Sequence, residues 1–477
     1  MLHVSTRGAA APLSFSDALL AGLARDGGLY VPESWPSMAR PDIAALSGLR
    51  YADAAKRVLR PLIDGEIADA DLDAMIEAAY ATFRHPAICP LTQIDDNLFL
   101  LELFHGPTLA FKDVAMQLLG RLMDHVLRAR GARATIVGAT SGDTGSAAVE
   151  AFKGLDQVDV FILFPHGRVS EVQRKQMTTV ASPNVHAIAI DGTFDDCQDI
   201  VKAMFQHADF ADSVRLSGVN SINWARVAAQ CVYYFTSAVA LGAPHRPVSF
   251  AVPTGNFGDI LAGWVAKRMG LPVERLMIGT NANDILARTL EHGAYELRGV
   301  QPTTSPSMDI QISSNFERLL FEAMGRDSSS LGRLMAGLKQ SGGFTLPPEV
   351  LASVRDEFDA TAVHEPDVVD EIAGTYRKVG LVLDPHSAIA VRAGRKLLEK
   401  DPATPVVALA TAHPAKFPDA VSQATGGGRP ELPPHLADLM GRPELIADLP
   451  NDQAAVERFI RERARIARDG AGGGIRA

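Results

Sequence analysis

From residue 97 onward the chain keeps returning to one three-part pattern, and that pattern leaves few folds open. "RATIVGAT" is a short apolar run, "SGDTG" a loop and "SAAVEAFKGL" a helical segment. "DVFILFP" is followed by "SEVQRKQMTT", and "NVHAIAI" by "TFDDCQDIVKAMFQHA", whose Thr193 and acidic first turn mark a helix start. "VSFAVPTGNFGDILAGWVAKRMG" repeats the order, and "PVVALATAHPAKFPDAV" closes the series. Short buried strands alternating with helices predict parallel sheet covered on both faces. No period of twenty to fifty residues is present, which argues against a solenoid.

Before this series, "DGGLYVPESWP" (26–36) is dense in turn formers, and the next sixty residues carry Ala, Asp and Leu at helical spacing. The expected division is a largely helical N-terminal domain over 1–96 and a smaller α/β domain over 97–220, opened by the strand-like "NLFLLELF". A larger α/β domain follows over 221–428. The tail, 429–477, is expected to hold one charged helix, "DQAAVERFIRERARIAR", and a mobile glycine-rich end.

Charge and cysteine usage narrow the partners. Among 477 residues, 46 Lys and Arg face 56 Asp and Glu, a net charge of −10 with no dense basic run. That balance favours a small molecule over nucleic acid. Cys89, Cys197 and Cys231 have no paired spacing, which predicts a reducing compartment and no metal framework. The longest nearly apolar run, 227–243, contains Gln, Thr, Ser and two Tyr, so it reads as a buried helix and not a membrane span. The first twenty residues lack the apolar core of a signal peptide, and a cytoplasmic location is expected.

In open α/β sheets, ligands sit at the carboxyl ends of strands, where helix N-termini present free amides. Three loops qualify. In "PTGNFGD" (253–259), Gly255 and Gly258 allow close backbone approach, and the amides of 255–259 can ring a phosphate. The loop lacks the third glycine of a dinucleotide fingerprint and the Gly-Lys-Ser/Thr of a triphosphate loop. An ordinary glycine-rich turn is the alternative. "ATSGDTGSA" (139–147) offers hydroxyls at Thr140, Ser141, Thr144 and Ser146, more than a helix cap needs and suited to a carboxylate. The third loop, "FHGPTLAFKD" (104–113), holds Lys112, and the nearest Lys or Arg on either side are Arg84 and Arg121. Either Lys112 is a surface residue, or it is a nucleophile whose amine the positive end of a helix dipole helps to free. A Schiff-base lysine with a phosphate cradle describes a pyridoxal-phosphate enzyme.

"FHGPTLAFKD", "ATSGDTG", "PTGNFGD" and "TAHPAKF", in this order, resemble the threonine synthase family, in its longer class with an added N-terminal domain. "DGGLYVP" and "VNSINWARVAAQCVYYF" share the resemblance, which covers nearly the whole chain. It implies the fold-type II architecture of pyridoxal-phosphate enzymes, two open mostly parallel sheets covered by helices. Lys112 is then the Schiff-base lysine and the acid/base at substrate Cα and Cβ. Gly255, Asn256, Phe257, Gly258 and Asp259 form the cofactor phosphate loop, with Asp259 facing it through its backbone. Thr411 meets the pyridine nitrogen, and Asp143 lies by the cofactor 3′-oxygen. Ser141, Gly142 and Thr144 meet the substrate carboxylate, while Asn220, Ser221 and Arg226 match the substrate-phosphate site.

The implied reaction turns O-phospho-L-homoserine and water into L-threonine and phosphate, carried out by a monomer or homodimer. A serine/threonine dehydratase of the same fold group shares the lysine and phosphate loop but needs no second phosphate site. A catalytically inactive relative and a dinucleotide-dependent oxidoreductase are the further alternatives. His105, His386 and His413 lie near these motifs and are read as hydrogen-bonded structural residues.

Overall fold

The computed structural model describes residues 1–467, which form two compact units: 1–115 with 221–432, and 116–220 with the chain from 433 onward. The first unit is built on a six-stranded sheet in the order Phe358–Ala362, Val273–Thr280, Val248–Pro253, Val406–Ala410, Leu98–Glu102, Leu91–Asp95. All neighbours are parallel except the last pair, an antiparallel hairpin at the edge. Helix Pro385–Lys400 covers one face, where Ile389 and Ala393 pack with Leu98, Leu100, Ala251, Val406 and Ala408. Asp384 starts that helix by accepting from the amides of His386 and Ser387 at 3.0 and 2.9 Å, ahead of Pro385 at its first position.

The N-terminal segment joins this unit. A short antiparallel ladder pairs His3–Ser5 with Tyr30–Pro32, and helices Tyr51–Ile63 and Asp69–Tyr80 follow. The apolar run reads correctly as a helix, Trp224–Ala240, in which every residue but Thr236 and Ala240 is buried. Such all-round burial explains its lack of a polar face.

The second unit carries a five-stranded parallel sheet in the order Ile446–Leu449, Val185–Ile190, Val158–Pro165, Ala134–Ala139, Leu216–Ser217. Val158–Pro165 is central and buried at every position. Burial of each of its Val, Ile, Leu and Phe side chains contributes roughly 1.5–3 kcal/mol. Thr193 opens helix Phe194–Gln206 through a reciprocal cap with Asp196, as its sequence predicts.

Two expectations about domain limits need correction. The 96/97 boundary cuts the hairpin formed by Leu91–Asp95 and Leu98–Glu102. Because Leu98–Glu102 also pairs residue by residue with Val406–Ala410, residues 97–115, Lys112 included, belong with the larger sheet and not with 116–220. The tail adds more than a helix. Strand Ile446–Leu449 extends the smaller sheet, and beyond helix Gln453–Arg463 the Arg465 guanidinium meets the buried Asp159 carboxylate at 2.6 Å. The expected mobile glycine-rich end lies outside the described residues. Among the described residues no helix is long and apolar enough to cross a membrane.

Candidate active site

Lys112 is the first residue of helix Lys112–Ala129 and is buried, with only 8% of its surface exposed. That burial removes the reading of a surface lysine. Its placement follows from how the preceding segment is tied down. The Phe111 amide donates to the Thr411 carbonyl at 2.8 Å, the His413 amide donates to the Leu109 carbonyl at 3.0 Å, and Ala110 bridges Ala412. Leu109 takes a left-handed conformation, φ +61°, to make the corner. Asp113 secures the approach by accepting from the Thr108 amide and hydroxyl, each at 2.7 Å. Gly106 is required there, since a Cβ would come within 2.5 Å of the Asp113 side chain. The Lys112 ammonium nitrogen lies 5.2 Å from the centre of the Phe111 ring and 3.5 Å from the Ser307 hydroxyl.

Thr411 follows strand Val406–Ala410 and is buried; among the described residues its hydroxyl makes no hydrogen bond. The lacing of 109–111 to 411–413 therefore sets Thr411 beside the lysine corner with its side-chain oxygen available.

The phosphate-loop candidate ends strand Val248–Pro253 and opens helix Gly258–Arg268. Phe257 is left-handed, φ +64°, which turns the loop into the helix. The first amides of a helix have no partner within it, so the 255–259 backbone offers a ring of donors. Ser313 donates to the Gly255 carbonyl at 2.6 Å, while the Asn315 amide and side chain donate to the Asn256 carbonyl at 3.1 and 3.0 Å. These bonds occupy the carbonyls of the loop. A Cβ on Gly255 would sit 3.1 Å from the Ser307 carbonyl, tight enough that the neighbouring backbone would have to give by a few tenths of an ångström.

The Asp259 side chain turns into the protein. Its carboxylate accepts the Tyr233 hydroxyl at 2.5 Å and the Tyr234 hydroxyl at 3.0 Å. Burial pushes the carboxyl up to about 6, against the pull of those two bonds. Both phenols are held well above their ordinary value by burial and by the neighbouring carboxylate.

Arg226 lies in the first turn of helix Trp224–Ala240 and is buried; burial lowers its guanidinium to about 10. The alternative of an exposed helix residue does not hold. Ser221 is half-buried, with its carbonyl accepting from Asn315 at 3.2 Å. Asn220 is exposed and belongs to the second unit.

In the second unit the 139–147 loop resolves into cap and surplus. Thr140 does the capping, accepting from the amides of Gly142 and Gly145 at 2.9 Å each, and Ser146 donates to the Gly142 carbonyl at 3.2 Å. Among the described residues the half-buried Ser141 and Thr144 hydroxyls make no hydrogen bond. Gly142 sits at φ +140°, with Gln173 2.3 Å from where a Cβ would be. The buried Asp143 carboxylate accepts from Gln173 at 2.8 Å.

The three histidines have structural partners. His105 meets Glu102 and His386 meets Asp384, each at 2.7 Å, while His413 accepts from the Ala415 amide at 3.1 Å. Burial first, and the nearby His105 next, lower His413 to about 4 and leave it neutral.

The first unit thus brings together Lys112, Thr411 and the 255–259 loop, and it adds residues the sequence reading passed over. These are Ser307, Ser313, Asn315 and the tyrosine pair. The local sign of the three polar residues is the turn-rich "TTSPSMD" preceding "SSNF", and the tyrosines lie in "QCVYYF".

The description "Threonine synthase N terminus" matches residues 2–80, "Pyridoxal-phosphate dependent enzyme" matches 84–412, and "Threonine synthase, C-terminal" matches 387–460. A threonine synthase of Pseudomonas aeruginosa is 54% identical over 460 residues, 96% of this chain and 98% of its own. The chain belongs to the threonine synthase family. Its fold agrees with a pyridoxal-phosphate-bound threonine synthase from Brucella melitensis, with TM-score 0.96, 61% identity, and 98% and 100% of the two chains covered. A threonine synthase from yeast gives TM-score 0.93 at 40% identity over 97% and 98%. Threonine synthases are pyridoxal-phosphate-dependent lyases, and the residues here suit that cofactor. A buried lysine opens one helix, a ring of amides opens another, and the Gly255 cradle is one that a Cβ would crowd.

Proposed function

We propose that the chain converts O-phospho-L-homoserine and water into L-threonine and phosphate, in the cytoplasm, as a monomer or homodimer. The observation that carries this reading is the buried Lys112 at a helix start, laced to Thr411 through 109–413 backbone bonds. Lys112 would hold pyridoxal phosphate covalently, the amides of Gly255, Asn256, Phe257, Gly258 and Asp259 would receive its phosphate, and Thr411 and Asp143 would serve its ring nitrogen and 3′-oxygen. The bound cofactor supplies the electron withdrawal that lets protons leave carbon.

The rest is the work of the chain. The Lys112 amine, once released, takes the proton from substrate Cα and then one from Cβ, and returns protons as the product forms. The Cγ–O bond breaks and phosphate leaves; water adds its oxygen at Cβ. Arg226 supplies a fixed charged fork for the substrate phosphate, with Asn220 and Ser221 as neutral donors. Ser141, Gly142 and Thr144 receive the substrate carboxylate, and two unused hydroxyls in that loop support the assignment.

The relatives reported above are threonine synthases and not dehydratases, and a buried arginine is more than a dehydratase requires. Incubation with O-phospho-L-homoserine is expected to release phosphate and threonine in equal amounts. Keto acid from serine or threonine, with no phosphate release, would overturn the reading.

A further inference from the structure

Ser307 approaches Lys112 from a distant part of the sequence, its hydroxyl 3.5 Å from the amine and 195 residues away along the chain. The turn that carries it is clamped at its base. The side-chain amide nitrogen of buried Asn281, just after strand Val273–Thr280, shares its two hydrogens among Asp309 at 2.8 Å, the Thr303 hydroxyl at 2.9 Å and the Ser305 hydroxyl at 3.0 Å. Asn283 donates to the same Asp309 oxygen at 3.0 Å, and Asp309 accepts from the Thr303 amide and hydroxyl at 2.9 and 2.7 Å. Just beyond, Ser313 and Asn315 bind the carbonyls of Gly255 and Asn256, and the Ser307 carbonyl packs on Gly255. One clamped segment therefore touches both the lysine and the phosphate loop. So dense a network, satisfied on every named donor, fixes a turn far more tightly than surface contacts do.

We propose that Ser307 is a catalytic residue whose hydroxyl holds the Lys112 amine whenever that amine is free of the cofactor, with Asn281 and Asp309 as the residues that position it. A hydroxyl both donates and accepts, so it serves the amine in either protonation state: it accepts from the ammonium and donates to the neutral nitrogen's lone pair. Holding the amine at one fixed place would shorten its search for each covalent step and each proton transfer. The inference rests on the assignment of Lys112 given above.

The test compares the parent with Ser307→Ala, Ser307→Thr and Asp309→Asn in the full chain. The first readout is the rate at which the cofactor-stripped protein captures added pyridoxal phosphate on Lys112, followed by absorbance and without substrate. The second is the split between kcat and KM with phosphohomoserine. Ser307→Ala is expected to slow capture and lower kcat, each on the order of tenfold, with KM within about twofold. Ser307→Thr is expected to restore both, and Asp309→Asn to slow capture with Ser307 intact. Capture by Ser307→Ala within twofold of the parent, a Thr variant as slow as the Ala variant, or an unaffected Asp309→Asn would each overturn the proposal. A parent that captures cofactor but releases no phosphate overturns the proposed reaction instead, so the two failures are distinct.

Discussion

Tyr233 donates its hydroxyl to the Asp259 carboxylate at 2.5 Å, placing a buried acid and its phenol partner directly beneath the loop assigned to the cofactor phosphate. An ordinary carboxylate next to an anion-binding loop is repulsive. This one points away from the loop and, pushed up to about 6 by burial, holds a proton more readily than a solvated Asp.

The linkage has a definite sign. Between the unfolded value of 3.8 and the folded value of about 6, the folded protein keeps a proton that the unfolded chain has released. The contribution of Asp259 to stability is therefore present below about pH 4 and is lost as pH rises through 6. Its full size is on the order of 3 kcal/mol. Asp259→Asn keeps an oxygen for both phenols and cannot ionise. The parent's thermal midpoint is expected to fall relative to the variant's between pH 4 and 7. Parallel curves over that range would remove Asp259 as the titrating group.

Lys112→Ala is expected to abolish covalent cofactor attachment and threonine formation while leaving the fold intact. The lacing of 109–111 to 411–413 uses backbone atoms only, so removing the side chain does not undo the corner. Absence of the bound-cofactor absorbance band, with an unfolding midpoint close to the parent's, is the expected result. Threonine formation near the parent's rate would place the reactive lysine elsewhere.

Much of the fold was legible because it is written locally. Strand–loop–helix spacing, the Thr193 cap and the glycine-rich turns depend on residues within a few positions of each other, and each appears where the pattern puts it. What the sequence hid is long-range. Ser307 meets Lys112 only because Asn281 and Asp309 fold its turn back, and no local spacing encodes that contact. The 96/97 boundary failed for a related reason. Leu98–Glu102 reads as the start of a new series, yet its hydrogen bonds go forward to Val406–Ala410. In the 139–147 loop, composition counted the hydroxyls correctly. It could not tell that Thr140 caps and that, among the described residues, Ser141 and Thr144 stay unused.

Arg226 carries the assignment of the substrate phosphate. A buried guanidinium bonded to a phosphate contributes about 1.5–3 kcal/mol, so Arg226→Ala is expected to raise KM for phosphohomoserine roughly 10- to 150-fold. Covalent cofactor binding is expected to change little. Arg226→Lys keeps the charge and loses the fork, and should fall between the two. Burial means that the Ala variant also loses packing, so its unfolding midpoint must be measured alongside. A KM unchanged in both variants would make Arg226 a structural residue of its helix.

Thr411 tests how the cofactor ring is tuned. The strand before it is buried and β-branched residues fit its end, so a purely structural role predicts that Val replaces Thr without loss. The geometry argues for more. The Thr411 carbonyl is occupied by the Phe111 amide at 2.8 Å, while the hydroxyl makes no bond among the described residues and lies beside the lysine corner. A neutral hydroxyl at a pyridine nitrogen leaves that nitrogen unprotonated, whereas a carboxylate there holds it protonated and deepens the electron sink. The reaction proposed here needs charge to move on from Cα to Cβ, which too deep a sink at Cα opposes. Thr411→Ser is therefore expected to keep most activity, and Thr411→Asp to lose threonine formation while still attaching the cofactor. Thr411→Val is expected to weaken cofactor binding about fivefold, the size of one neutral hydrogen bond, with the strand intact. Cofactor titration, thermal unfolding and threonine formation on the three variants decide it: if Val matches Ser in all three, the hydroxyl has no part at the ring nitrogen.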